Sequence, residues 1–355
     1  MKRTILLTLL CLAIALLLPL AVRFSLKRTE TAPSPAPTHA PTASVTDLPQ
    51  QELQTLSPAP ASAPAIADAL RADAELTLRV RICGETRELT LEEYLPGVLA
   101  GEMPAAFPEE ALRAQAVAAR TFALYRLAHP SAAHPDCALC DSAQCCQVWR
   151  SEAELKKLWG QSFDTYAEKL RKCVADTDGL YLSYRDEPIF ACFHASSDGA
   201  TENGGDVWGT DLPYLVSVST PESADAVPNF VTTVELAPEE LRDTIRERYP
   251  KADFSGLPET WIGELLPDGA GRVSTVRIGG VAVPGTELRS LFSLRSTDLT
   301  LVWTGHSFLF TVTGNGHGAG MSQYGAAALA AQGESFLSIL AHYYPETELA
   351  TRKKD

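Results

Sequence analysis

Residues 90–128 read TLEEYLPGVLAGEMPAAFPEEALRAQAVAARTFALYRLA. Thr90 and Glu93 form a capping box, which predicts a helix that begins after Thr90 and continues to about Glu102. A short proline-containing break follows, and Pro108 with two acidic residues behind it predicts a second, alanine-rich helix to about Ala128. Two successive helices joined by a tight break are therefore the expected frame of the fold.

Strands and helices come in mixed order on both sides of this pair. Residues 76–82 alternate apolar and polar side chains, which predicts a half-buried strand. Further strands are predicted at 179–184, 189–193, 231–236, 273–278, 299–302 and 308–312, and further helices at 238–248, 323–332 and 335–344. Because no regular strand–helix alternation occurs, the pattern favours an α+β fold in one domain and leaves a two-lobed arrangement open.

The amino-terminal end has the pattern of a membrane anchor. Residues 5–22 carry no charge and are almost entirely apolar, and no small-x-small cleavage site follows them. Eight prolines with Ala, Ser and Thr in residues 31–66 indicate an extended tether. We expect an uncleaved anchor at 1–28, a Pro/Ala-rich linker at 29–72 and an extracytoplasmic domain at 73–350, with a removed signal peptide as the alternative.

The charge balance excludes one class of substrate. Thirty Lys and Arg residues stand against 44 Asp and Glu residues, so the net charge is −14. The first thirty residues contain five basic residues and one acidic one, so residues 31–355 carry −18. An acidic domain repels phosphate backbones, so nucleic acid is not an expected partner.

Glu102 is the first candidate for chemistry. It falls on the same helical face as Leu95, Val98 and Leu99, at the end of the predicted helix. A carboxyl group held in an apolar cleft has a raised pKa, which suits a general acid near neutral pH. The alternative is a helix-terminal glutamate that caps the helix or pairs with Arg113 or Arg120.

Two further segments carry polar groups after a predicted strand. The glycine-rich run at 314–326 lacks the Lys-Ser/Thr of a phosphate loop and presents His317 and Tyr324, so it suits a sugar or acyl ligand, or serves only as a tight turn. The segment 193–203 suits hydrogen bonding to sugar hydroxyls or is a plain polar turn. A Ser-His-Asp hydrolase with His194, Ser197 and Asp198 is conceivable, but no Gly-x-Ser-x-Gly motif occurs.

A cluster of cysteines predicts a metal site. His134, Cys137, Cys140, Cys145 and Cys146 fall within thirteen positions. Thiolates and an imidazole at such spacing suit tetrahedral zinc, and disulfides are the competing interpretation outside the cytoplasm. Neighbouring cysteines do not easily bridge each other, which favours zinc.

Five segments in order resemble one family: EYLPGVLAGEMP, ALRAQAVAART, CQVW, SDGATEN and GHGAGMSQYG. Together they resemble stage II sporulation protein D, the membrane-anchored lytic transglycosylases of endospore formers, over about residues 75–348. The resemblance implies cleavage of the MurNAc–GlcNAc bond of peptidoglycan, preferably in strands stripped of stem peptides, to 1,6-anhydro products during engulfment. It implies that Glu102 is catalytic, and that substrate is bound by Gln115, Arg120, Ser197, Thr201, Glu202, Asn203, His317, Ser322, Gln323 and Tyr324.

The resemblance also implies a structural Zn²⁺ and several partners. The metal ligands it implies are His134, Cys140 and Cys146; Cys145 stands where the family commonly has histidine and is the favoured fourth ligand, and Cys137 is an extra thiol. The implied partners are the cell-wall amidase stage II sporulation protein P and the membrane protein stage II sporulation protein M. The implied location is the mother-cell membrane, facing the forespore. The alternatives are a non-catalytic peptidoglycan-binding enhancer of an amidase and a zinc-dependent hydrolase.

Overall fold

The computed structural model of the protein describes residues 72–352. The predicted anchor at 1–28 and all but the last residue of the predicted linker lie outside these residues. No helix within 72–352 is long and apolar enough to cross a membrane.

The two helices predicted from residues 90–128 are both present. Helix α1 spans Leu91–Glu102, and its capping box is complete: the Thr90 side chain accepts the Glu93 N–H, and the Glu93 carboxylate accepts the Thr90 N–H. Helix α2 spans Glu109–Ala128, with Pro108 as the residue before the helix rather than its first residue. A capping box therefore sets where α1 begins, whereas α2 begins after a proline without a side-chain cap.

The remaining elements alternate irregularly along the chain. The other helices are α3 Glu152–Trp159, α4 Phe163–Ala175, α5 Gly204–Trp208, α6 Pro238–Arg248, α7 Gly285–Leu291, α8 Gln323–Ala331 and α9 Phe336–Tyr343, with 3₁₀ turns at Gly160–Ser162 and Pro258–Thr260. The strands are β1 Thr77–Ile82, β2 Glu85–Thr90, β3 Leu139–Cys140, β4 Leu180–Tyr184, β5 Glu187–Pro188, β6 Phe193–His194, β7 Val231–Leu236, β8 Ile262–Pro267, β9 Val273–Ile278, β10 Val281–Pro284, β11 Leu299–Trp303, β12 Phe308–Thr313, β13 Met321–Ser322 and β14 Glu348–Thr351. The fold is a mixture of helices and several small sheets.

The strands pair in five small sheets within the described residues. Their orders are β2-β1-β3, β14-β4-β5, β13-β6, β10-β9-β8 and β11-β12-β7. The pairs β1–β3 and β6–β13 are parallel, and the other pairs are antiparallel. The β6–β13 pair brings two distant segments together, since residues 193–194 lie beside residues 321–322.

Two separate apolar clusters divide the described chain into two lobes. One cluster draws its fully buried side chains from residues 78–215 and 319–344, and the other from residues 236–312. We call residues 72–230 and 314–352 the first lobe and residues 231–313 the second lobe. The chain leaves the first lobe once and returns at the glycine-rich run, so that run lies at the junction of the lobes.

One predicted strand, at 189–193, is largely absent. The N–H groups of Ala191 and Cys192 bond to the carbonyl groups of Ile189 and Phe190, two residues earlier. These tight turns use the donors that a sheet would need, so only Phe193–His194 pairs as a strand. The apolar run is buried by packing instead of by strand pairing.

Candidate active site

A cleft of about 1050 Å³ lies between the two lobes. First-lobe residues line most of it, and residues 268–297 of the second lobe close the other side. Of the site residues predicted from the sequence, the cleft wall includes Glu102, Cys145, Cys146, Glu202, His317 and Gln323. The structure therefore brings four of the five resembling segments to one cavity.

Glu102 is the last residue of α1 and its carboxyl group faces this cleft. The Val148 N–H donates to Oε1 at 2.6 Å, and Gln323 Nε2 donates to Oε2 at 3.3 Å. Burial raises the pKa of Glu102, and the two hydrogen bonds partly oppose this effect. Neither Arg113 nor Arg120 bonds to it in the described residues, so the carboxyl group is held by neutral donors.

The sequence around Glu102 explains this position. Leu95, Val98 and Leu99 are fully buried on the same face of α1, which anchors the end of the helix against the core. Gly101 lets the segment around Val148 approach closely, because a Cβ atom at Gly101 would lie 2.6 Å from the Val148 carbonyl oxygen. The close approach places the Val148 N–H within bonding distance of the carboxylate.

Four of the predicted metal ligands converge beside this segment. The ligand atoms of His134, Cys140, Cys145 and Cys146 all lie within 4.8 Å of one another. His134 Nε2 lies 3.2 Å from Cys146 Sγ, and the two sulfur atoms of Cys145 and Cys146 are 3.7 Å apart. Cys137 is outside this group, and all seven cysteines of residues 72–352 are free thiols.

The donor set fits a tetrahedral zinc ion. Three sulfur atoms and one imidazole nitrogen are typical ligands, with bonds of about 2.0–2.3 Å that these separations can accommodate. His134 Nδ1 lies 3.0 Å from the Cys137 carbonyl oxygen, which only accepts hydrogen bonds. The proton therefore sits on Nδ1, and the lone pair of Nε2 is directed at the cluster.

His194 and the segment after it form a buried hydrogen-bond network rather than a catalytic triad. Ser197 Oγ lies 2.6 Å from His194 Nε2, and His194 Nδ1 lies 3.2 Å from the Ala319 carbonyl oxygen. Arg272 of the second lobe donates to the same Oγ at 2.9 Å. Ser197 is fully buried, and a carbonyl group stands where a triad would place the Asp198 carboxylate. The hydrolase hypothesis therefore has no geometric support.

Glu202 is a second carboxyl group on the cleft wall. Its Oε1 lies 3.2 Å from Arg272 Nε, and both side chains are nearly fully buried. Burial and the nearby Asp268 raise the pKa of Glu202 to about 8, against the lowering effect of Arg272. Gly318 makes room for it, because a Cβ atom there would lie 2.8 Å from Glu202 Cγ.

An aromatic surface completes the cleft: it joins His317, which the resemblance implied, to Trp208, for which the sequence motifs predicted no role. The Trp208 ring is 42% exposed and lies 5.0 Å from the His317 ring and 5.2 Å from Phe190, between centroids. Burial lowers the pKa of His317 to about 4, so its ring is neutral at pH 7. The signal available in the sequence was a tryptophan within a short segment bounded by glycines. A sugar ring stacks well on the face of an exposed tryptophan.

Arg120 and Gln115 do not line the cleft. Both lie on α2 with fully buried side chains. Arg120 donates from Nε to Asp73 Oδ1 at 2.8 Å and from Nη2 to Oδ2 at 2.6 Å. The Arg120 guanidinium thus forms a buried ion pair that joins Asp73 to α2 and does not line the cleft, and its role in holding substrate stays a prediction.

Four other predicted contacts also lie behind or beside the wall. Thr201 is buried and bonds to the backbone of Val218. Ser322 caps α8 by accepting the Gly325 N–H. Asn203 donates to Asp206, and the Tyr324 ring packs edge-on against Phe107 with centroids 5.0 Å apart. These residues shape the elements that carry Glu202 and Gln323.

Comparison with known proteins agrees with the motifs. The family profile described as "Stage II sporulation protein" matches residues 82–184. The chain is 36% identical over 264 residues to Stage II sporulation protein D of Bacillus subtilis (strain 168), covering 74% of this chain and 75% of that protein. It is 35% identical over 264 residues to the protein of the same name from Bacillus amyloliquefaciens, covering 74% of each.

A second group of relatives is more distant. The chain is 28% identical over 308 residues to the Amidase enhancer of Bacillus subtilis (strain 168), covering 72% of this chain and 40% of that protein. The identity and coverage of the first two relatives, the profile match and the ordered motifs agree: the chain belongs to the stage II sporulation protein D family of sporulation proteins.

Proposed function

We propose that this protein is a lytic transglycosylase that cleaves the MurNAc–GlcNAc bond of peptidoglycan during endospore engulfment. The observation that carries the proposal is Glu102, a carboxyl group with a raised pKa in a cleft beside an exposed tryptophan. A general acid must hold its proton near the working pH, and burial shifts the pKa of Glu102 in that direction. Residues of both lobes line the cleft, which suits a polymeric sugar.

One carboxyl group is enough for this reaction. Glu102 donates its proton to the glycosidic oxygen, and the bond from that oxygen to the muramic acid C1 breaks. The resulting carboxylate takes the proton of the C6 hydroxyl of the same sugar, whose oxygen bonds to C1 and closes the 1,6-anhydro ring. The proton returns to Glu102, so no water is consumed.

Glu202 is poorly suited to act as a second catalytic carboxylate. It pairs with Arg272 at 3.2 Å, and its pKa of about 8 keeps much of it protonated at neutral pH. Hydrolytic glycosidases need an ionised partner to activate water or to attack the sugar. This arrangement favours the one-carboxylate mechanism over hydrolysis.

We also propose that His134, Cys140, Cys145 and Cys146 hold a structural zinc ion. A closed four-ligand site supplies folding energy and loop rigidity rather than an activated water. The Val148 N–H that bonds to Glu102 follows the last ligand by two residues, so a rigid loop would fix this donor. We expect about one zinc per chain; full zinc content in a Cys140→Ser/Cys146→Ser variant would contradict the assignment.

Location and partners are part of the same proposal. Residues 5–22 would anchor the chain in the mother-cell membrane, with the domain facing the forespore and the linker at 29–72 between them. The expected partners are the amidase stage II sporulation protein P, which would strip stem peptides, and the membrane protein stage II sporulation protein M. A membrane-derived protein whose sequence begins after residue 22 would rule out the anchor.

The deciding experiment is mass spectrometry of the products released from glycan strands without stem peptides. We expect muramic acid ends with a 1,6-anhydro ring. Reducing ends would identify a hydrolase and would contradict the mechanism.

The 28% identity to an amidase enhancer supports a second candidate, a non-catalytic protein that binds peptidoglycan and stimulates an amidase. Its signature is co-sedimentation with cell-wall glycan, with no glycan cleavage and a faster partner amidase. The product analysis separates it from the first candidate because only the enzyme creates new glycan ends.

A further inference from the structure

Two arginines line the cleft without an acidic partner. Arg126 comes from α2 in the first lobe, and Arg289 comes from α7 in the second lobe. Across residues 72–352, neither side chain forms an ion pair. This is unexpected in a chain whose net charge is −14, where acidic partners are abundant.

The Arg126 guanidinium is held in position by aromatic rings and not by hydrogen bonds. Its Cζ atom lies 5.2 Å from the centroid of Phe122 and 5.7 Å from that of Phe190. Its Nε–H is buried and has no hydrogen-bond partner. Leaving a charged donor buried without an acceptor is costly, so the position is explained best by an acceptor that a ligand brings.

Arg289, in the second lobe, likewise has no acidic partner among residues 72–352. Its Nε donates only to the Leu294 carbonyl oxygen, at 3.3 Å. Burial and the neighbouring Arg272 lower the pKa of Arg289. Its charge also contributes to the lowered pKa of His317, so it lies close to the ring that contacts Trp208. An anion placed here would relieve both effects.

The acidic groups of the wall around Glu202 are already engaged. Glu202 pairs with Arg272, and Asp206 accepts a hydrogen bond from Asn203. Asp268 accepts the backbone N–H groups of Ala270 and Arg272. Among residues 72–352, none of these carboxylates forms an ion pair with Arg126 or Arg289.

We propose that Arg126 and Arg289 bind the carboxylate groups of an acidic glycan, namely the free lactyl carboxylates of muramic acid in strands without stem peptides. The proposal rests on the proposed function for the identity of the sugar. Phe190 contacts both the Arg126 guanidinium and the Trp208 ring, so a sugar stacked on Trp208 presents its substituents toward Arg126. A guanidinium fork binds a carboxylate through two parallel hydrogen bonds.

This arrangement makes the two arginines specificity residues. A stem peptide converts the lactyl carboxylate into a neutral amide, which removes the anion that the arginines bind. The free acid should therefore bind more tightly than the amide, and the strand should span both lobes. Cleavage chemistry at Glu102 is separate from this discrimination.

The test measures equilibrium binding to the full-length Glu102→Gln variant, which should not cleave. The probes are a GlcNAc–MurNAc tetrasaccharide with free lactyl carboxylates and the same tetrasaccharide with its carboxylates converted to methylamides. We expect the methylamide to bind about 10²-fold more weakly, because two charge-assisted contacts of about tenfold each are lost. Arg126→Gln and Arg289→Gln should each weaken free-acid binding toward the methylamide value and leave methylamide binding almost unchanged.

Exposed arginines outside the cleft provide matched controls. Arg87→Gln in the first lobe and Arg277→Gln in the second should leave both affinities unchanged. Because Arg126→Gln could disturb packing against Phe122, Arg126→Lys is measured as well; it keeps the charge and should retain part of the preference for the free acid.

The outcomes separate this inference from the proposed function. Equal affinity for both probes, or a preference that survives both glutamine substitutions, would overturn the inference even if anhydro products form. An arginine-dependent preference for the free acid would support it even if no glycan were cleaved.

Discussion

Glu102 and Arg120 are ionisable residues on successive helices, and the sequence motifs predicted a functional role for both. Glu102 ends α1, and its carboxyl group is bonded by neutral donors in a cleft. Arg120 lies within α2, fully buried, with its guanidinium on the Asp73 carboxylate. Neutral donors leave a carboxyl group free to change its protonation state, whereas a buried ion pair fixes both charges.

The surroundings of Arg120 reinforce this contrast. Its guanidinium also donates to the carbonyl oxygens of Val174 and Leu180, at 3.3 and 3.1 Å. The backbone N–H of Asp73 in turn bonds to Asp178 at 2.9 Å. Arg120 therefore joins the start of the described chain to α4 and β4, which is a structural task.

The largest effect should come from Glu102→Gln. Glutamine fills the same space but cannot donate the acidic proton or take one back, so anhydro-product release should fall by about 10² or more. The thermal midpoint should change little, because no ion pair is lost. Near-normal product release by a folded variant would show that Glu102 only ends the helix.

Arg120→Met should show the opposite pattern. Removing one partner of a buried ion pair leaves the Asp73 carboxylate uncompensated, and such losses cost about 3–5 kcal/mol of unfolding free energy. The measurement is denaturant unfolding, followed by activity per folded molecule. We expect stability to fall and activity of the folded fraction to remain within a few-fold.

A paired variant sharpens this second prediction. Asp73→Leu combined with Arg120→Met removes both charges and should recover part of the lost stability. A double variant as unstable as the two single losses added together would show that Arg120 acts through its other contacts. Lost activity in a fully stable Arg120→Met protein would instead place Arg120 in the substrate site.

The contrast between these residues shows how far the sequence alone could go. A capping box predicted α1, a proline followed by two acidic residues predicted α2, and local motifs predicted the metal-site segment whose four ligand atoms lie close together. These features depend on neighbours a few residues apart. The partner of Arg120 is 47 residues away, at the edge of the predicted linker, and no local pattern indicates it.

The same reasoning explains the other differences. Ser197 and Trp208 both belong to polar or glycine-bounded segments, yet one is fully buried and the other is 42% exposed. Which one faces the cleft depends on the second lobe, whose Arg272 reaches back to Ser197. Tertiary burial therefore decides which polar residues meet a ligand, and periodicity cannot supply it.

Glu202 offers a test by the pH dependence of stability. Its pKa is raised from the ordinary value of 4.5 to about 8, so the folded state holds a proton that the unfolded state has lost. The unfolding free energy should therefore fall as pH rises from about 4.5 to 8, by at most about 1.4 kcal/mol per pH unit from this group. Glu202→Gln should show a flatter dependence over that window.

Subtracting the two stability curves isolates this group, since the other titrating residues are shared. If the ion pair with Arg272 kept Glu202 ionised throughout, the wild-type protein would not lose unfolding free energy relative to Glu202→Gln as the pH rises. A wild-type protein that gains stability relative to Glu202→Gln between pH 5 and 8 would contradict the raised pKa.

Gln323→Met should have the smallest effect, several-fold in turnover, and it tests the neutral-donor side of the comparison. Gln323 Nε2 stabilises the ionised form of Glu102 at 3.3 Å, so its removal should raise the pKa of Glu102 further. The alkaline limb of the kcat/KM profile should therefore move to higher pH, because the general acid keeps its proton longer.

Gln144→Met is the matched control, since Gln144 lines the same cleft but bonds to Ser142. A purely structural role for Gln323 would lower the amount of folded protein and leave the profile where it was. A shift in the pH profile of Gln323→Met but not of Gln144→Met would show that the hydrogen bond from Gln323 controls the protonation of Glu102. Gln323 lies just after the point where the chain returns from the second lobe.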